Sequence, residues 1–130
     1  MLEEKVMDKN ILIITNNFGM ETSLSLLLLK HGYEVHTTKE EINILIEVLK
    51  LEAYREIDLI IIDLDFEYEE VEGILNYFDY MEIEIPFIIL ESHINISTRY
   101  IFRSTNVIEY IFKPFYGERL IELIKKILNK

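Results

Sequence analysis

The sequence predicts a doubly wound α/β sandwich built around a central parallel sheet. Two observations carry that prediction. Short, continuous, β-branched apolar runs recur along the chain, and patterns of helical period lie between them. Ile11–Ile14, Leu59–Ile62, Pro86–Leu90 and Val107–Phe112 are the runs. Continuous runs of this kind fit strands buried on both faces of a parallel sheet. Tyr33–Thr37 reads as a weaker strand nearer an edge.

The intervening segments repeat apolar residues at helical spacing. Met20, Leu24, Leu27 and Leu28 form the first stripe. Thr38-Lys39-Glu40-Glu41 matches a capping box, in which hydroxyl and carboxylate each take an end N–H of the helix. Ile42, Leu45, Ile46 and Leu49 then share one face, and Val71, Ile74, Leu75 and Phe78 share another. Asn95–Ser104 is the weakest helical segment, being rich in β-branched residues. Leu120, Leu123, Ile124 and Ile127 form the last stripe, with Lys125, Lys126 and Lys130 where the helix dipole favours cations. Strand and helix thus alternate five times.

The chain has 130 residues, half of them hydrophobic, with four Gly, two Pro and no Cys. Residues 1–130 read as one domain with short connections and its own core. Without Cys there are no disulfides or thiolate metal sites, which fits a reducing cytoplasm. Thirteen Lys and Arg against 24 Asp and Glu give a net charge of -11. That charge repels nucleic-acid and anionic lipid surfaces and favours cationic partners. No run approaches the roughly 18 apolar residues of a membrane span, and Met1–Lys5 does not open a secretory signal.

In open α/β sheets, function gathers beyond the carboxyl ends of the strands. That rule selects Thr15, Asn16, Asn17, Asp63, Glu91, Ser92 and Lys113. Asp63 ends the most hydrophobic strand, and Lys113 follows the last one, just before Pro114. A cis bond there would turn the chain sharply and fix the lysine's direction. On these residues alone, an Asp63–Lys113 pair reads equally as a functional centre and as a salt bridge that sets loop geometry.

Three segments resemble response-regulator receiver domains. Asp58-Leu59-Ile60-Ile61-Ile62-Asp63-Leu64 resembles their third strand, Ile85–Leu90 their fourth, and Glu109-Tyr110-Ile111-Phe112-Lys113-Pro114-Phe115 their fifth with its lysine–proline turn. The likeness runs from about Asn10 to Leu128. It implies a flavodoxin-like (βα)5 sandwich with five parallel strands in the order 2-1-3-4-5. It also implies that Asp63 is the phosphoacceptor position, that Lys113 holds a phosphoryl oxygen or the resting carboxylate, and that Tyr110 is an aromatic switch. An ordinary half-buried strand aromatic is the alternative reading of Tyr110.

Two departures bear on the implied chemistry. The family ends its first strand in an acidic pair that binds Mg²⁺; Thr15 and Asn16 stand there in this chain. A hard cation prefers anionic oxygen ligands, so Mg²⁺ affinity is expected to be weak or lost with Asp63, Asn16 and Asp65 as ligands. The family also carries Ser or Thr at the end of strand four, where this chain has Glu91 followed by Ser92. Glu91 or Asp63 pairs permanently with Lys113, locking one state without phosphate, or Glu91 points to solvent; a one-residue slip would bring Ser92 into place.

The resemblance therefore implies a phosphorelay signalling module rather than an enzyme, either degenerate or a working phosphoacceptor. A flavodoxin-like cofactor binder is a third reading, but no Gly-rich phosphate loop follows the first strand. Partners implied are a histidine kinase or a downstream signalling protein. A homodimer through the fourth helix, fifth strand and fifth helix is a further expectation. That face offers Arg99, Tyr100, Phe102, Arg103, Tyr110 and Phe112 as anchors. His31, His36 and His93 show no ligand spacing.

Overall fold

A computed structural model describes residues 9–37, 56–63, 68–91 and 104–129. Five strands form one parallel sheet: β1 (Asn10–Ile14), β2 (Glu34–Thr37), β3 (Leu59–Asp63), β4 (Phe87–Glu91) and β5 (Val107–Phe112). Their order is β2-β1-β3-β4-β5, the doubly wound order expected from the sequence. The described helices are α1 (Phe18–Lys30), α2 (Tyr68–Tyr80) and α3 (Gly117–Leu128). The capping box at Thr38–Glu41, its apolar stripe to Leu49 and the segment 95–103 lie outside the described residues. None of the described helices is long and apolar enough to cross a membrane.

Side-chain alternation divides the core into two layers. Leu12, Ile14, Ile60, Ile62, Phe87 and Ile89 face α2, meeting Val71, Ile74, Leu75 and Phe78. Ile11, Ile13, Leu59, Ile61, Ile88, Leu90 and Ile111 face the other way, onto Leu24 and Leu28 of α1 and Leu120, Ile121 and Ile124 of α3. β1, β3 and β4 are covered on both faces, which is why every residue of β3 and β4 is buried. Tyr33 is buried in the α1/α3 layer, and that burial pushes its phenol pKa up.

The ends of the elements follow local chemistry. Asn17 caps α1: its side-chain oxygen accepts the Met20 N–H at 2.8 Å. Gly32, at φ 89°, lets the chain leave α1 and turn into β2. Gly117 is set by a close approach, since a Cβ there would stand 3.2 Å from Leu27 Cδ2. At the other end of the sheet the Asp58 carboxylate accepts the Asn10 N–H at 2.7 Å, tying β3 to β1.

β5 departs from the expectation of a strand buried on both faces. It is an edge strand, and Ile111 is its one buried residue. Phe87 pairs with Val107 but Ile88 pairs with Glu109, so Ile108 is an extra residue in a bulge and is 48% exposed. The bulge resets the alternation, so that Val107 and Tyr110 pack on the same core layer despite their odd spacing.

Candidate functional site

Three strand ends converge at the carboxyl mouth of the sheet. Alternation carries Thr15 after β1, Asp63 at the end of β3 and Lys113 after β5 onto the α1/α3 side. Asp63 is 1% exposed, and the Lys113 side chain is 16% exposed. The Lys113 ammonium donates to Asp63 Oδ1 at 2.7 Å. The Thr15 hydroxyl donates to Asp63 Oδ2 at 3.0 Å. Each carboxylate oxygen therefore has its own donor. A buried carboxylate needs such compensation, and a charge-assisted bond from an ammonium is among the strongest a side chain makes.

Thr15 also works as an acceptor. Its hydroxyl oxygen takes the Asn17 N–H at 3.1 Å, so one group links Asp63 to the N-terminal cap of α1. Behind Lys113, the Lys113–Pro114 peptide bond is cis, and the Lys113 N–H donates to the Glu91 carbonyl at 2.7 Å. That bond ties the lysine's backbone to the end of β4.

Glu91 is 4% exposed, so the solvent-pointing alternative does not hold. It stands across from Phe112, on the sheet face of Phe87 and Ile89. Tyr110 lies on that same face, half-buried against the α2 layer. Asn16 is exposed. Asp65 and Ser92 lie outside the described residues, as do Arg99, Tyr100, Phe102 and Arg103.

Among the described residues, the donor set does not fit a tightly held Mg²⁺. A hard cation seeks several anionic or carbonyl oxygens at short range. Among the described residues Asp63 is the carboxylate of the cluster, and both its oxygens already accept protein hydrogen bonds. Thr15 turns a proton, not a free lone pair, toward that carboxylate.

Sequence reasoning did not find the Thr15 bond. It treated the hydroxyl only as the loss of a carboxylate. The available signal was Asn17, a good helix N-cap residue two positions on, which places the Thr15 backbone at the helix entrance. The clamp between Asp58 and Asn10 was missed as well.

No family model matches the chain, and no curated protein matches its sequence. Solved structures match it over most of its length. A response regulator receiver domain protein from Clostridium thermocellum superposes with a TM-score of 0.75 at 24% identity, covering 93% of this chain and 94% of that one. The chain has the receiver fold. A response regulator from Thermotoga maritima gives 0.73 at 21% identity, with 95% and 100% covered. A CheY-like receiver domain protein from Methanospirillum hungatei gives 0.69 at 22% identity, with 95% of each chain covered. Within the receiver fold, the lip that holds Asp63 and Lys113 is the carboxyl end of the sheet, where α/β ligand sites gather.

Proposed function

We propose that this chain is a receiver-like signalling module that acts through protein–protein contacts. Asp63 holds the phosphoacceptor position, but the site is closed from within and the Mg²⁺-binding acidic pair is impaired. One observation carries the reading: Lys113 and Thr15 occupy the two oxygens of a buried Asp63. Phosphoryl transfer to a carboxylate needs the gathered negative charge neutralised, and neutral Thr15 and Asn16 replace the acids that would hold a cation for it. The module is a signalling component and not an enzyme, and we place it in the cytoplasm.

Its partner is a histidine kinase or a downstream signalling protein. The described part of the expected output face supports this: Ile108 is exposed on the bulge of β5. Beside it runs a groove lined by Glu109, Arg119, Glu122, Leu123 and Lys126. Charged and apolar groups mixed on one edge suit a specific, salt-sensitive contact. A second copy docking on this face is the homodimer expected from sequence.

The test is direct. Incubated with acetyl phosphate and Mg²⁺, the intact protein is expected to keep its mass. A mass increase of one phosphoryl group that vanishes in Asp63→Asn would instead make the chain a working phosphoacceptor.

A further inference from the structure

α1 is apolar on more than its buried side. Leu24 and Leu28 pack on the sheet, yet Phe18, Leu26 and Leu29 are 81%, 63% and 55% exposed. With exposed Thr22 they recur at helical spacing, so all four lie on one stripe along the outside of the helix. A surface helix usually turns charge outward there. No charge interrupts this stripe, and Phe18–Lys30 holds one acid and one base, Glu21 and Lys30.

The charge beside the stripe is ordered along the helix. On α3, Arg119, Glu122, Leu123 and Lys126 turn toward β5, where they line a groove with Glu109. Glu118 and Lys125 are exposed on the other side, where Gly117 meets Leu27 of α1. Glu118 stands in the first turn of α3, at the lip that holds Asp63, and Lys125 in its last turn, at the far end. Lys30 closes α1 at that same far end, three residues beyond Leu27 and so on the same flank. This flank therefore runs from acid at the lip to base at the far end.

We propose that the outer face of α1 is the contact between two copies of this chain, packed antiparallel about a two-fold axis. A two-fold contact needs a patch that complements itself. This axis keeps each flank against its own counterpart and reverses its direction, so Glu118 of one copy meets Lys30 and Lys125 of the second. It also sets the positive end of each α1 dipole beside the negative end of the other. A parallel pair loses both matches. A net charge of -11 sets two copies against each other, so they meet where local charge balances. The α2 side does not qualify: Tyr68–Glu84 carries Glu69, Glu72, Asp79, Glu82 and Glu84 and no Lys or Arg. α1 has 13 residues, a length of about 20 Å. Pairing two such faces buries on the order of 1,000 Å², the low end for a specific interface, so the dimer is concentration-dependent. The inference does not rest on the state of Asp63, and it leaves the β5 edge to a different protein.

The experiment is sedimentation equilibrium of the full chain from micromolar to millimolar protein, where the unaltered chain is expected to dimerise. Leu26→Glu sets like charges at the middle of the contact and is expected to raise the dissociation constant roughly tenfold or more. Leu26 is exposed, so the fold is expected to survive, as urea unfolding checks. Leu29→Gln adds no charge and moves the constant the same way, which keeps the test open if the first variant folds poorly. Glu118→Lys is expected to weaken the dimer about threefold, the scale of an exposed ion pair. Adding Lys30→Glu and Lys125→Glu to it restores the dimer, and Ile108→Glu on β5 leaves it unchanged. A chain that stays monomeric at every concentration overturns the inference, and so does a dimer indifferent to Leu26→Glu and Leu29→Gln. If Ile108→Glu breaks the dimer instead, the second copy sits on β5 and the α1 contact is wrong. A dimer that Glu118→Lys does not weaken, or that the triple reversal does not restore, overturns the antiparallel arrangement. None of these readouts involves phosphoryl transfer, so the proposed function stands or falls separately.

Discussion

Lys113→Met is expected to destabilise the fold by about 3 kcal/mol, because removing one partner of a buried ion pair leaves the other charge uncompensated. The carboxylate left behind is 1% exposed and, of its two donors among the described residues, keeps the Thr15 hydroxyl. The estimate sits at the low end of the range for buried pairs because the Lys113 side chain is partly wet. The double variant Asp63→Asn/Lys113→Met separates charge from packing. With no carboxylate to strand, it is expected to recover more than half of the lost stability in urea unfolding. A double variant as unstable as Lys113→Met would show that the aliphatic stem, rather than the ammonium, is what the lip needs.

Phe78→Ala is the other large effect, about 3–5 kcal/mol by the usual cost of deleting a buried ring. Phe78 is fully buried in the layer between α2 and the sheet, edge-on to Phe87 with ring centroids 5.5 Å apart. The cavity would open between α2 and β4, and neighbouring β-branched side chains cannot swing to fill it. Urea unfolding measures this loss too. A cost under 1 kcal/mol would mean that α2 can collapse onto the sheet, contrary to the interlocked layer described here.

The sheet and its order were legible because alternation of buried runs with amphipathic helices leaves few topologies open. Asp63 and Lys113 were legible as neighbours because both follow short, β-branched runs that end at one lip. Other features were not legible, for physical reasons. Val107 and Tyr110 have odd spacing, which assigns them to opposite faces until the extra residue at Ile108 appears in the register. Glu91 at a strand end reads equally as a solvated side chain, and only the packed position of β4 shows it buried. Thr15 in place of an acid looks like a deletion of function. Its geometry makes it a donor instead, because a hydroxyl can give the proton that a carboxylate lacks. α1 shows the converse limit: Leu24 and Leu28 are core, yet Leu26 and Leu29 of the same leucine-rich run are exposed.

The central claim is that Lys113 and Thr15 each hold one oxygen of the Asp63 carboxylate, and that the described residues offer a divalent cation no second carboxylate there. Titration of the ¹⁵N-labelled chain with Mn²⁺ reads this at each residue through paramagnetic broadening. The account predicts that the amides of Thr15, Asp63 and Lys113 broaden no more than those of exposed acidic residues elsewhere. Selective, saturable broadening of those three at low Mn²⁺ would contradict it.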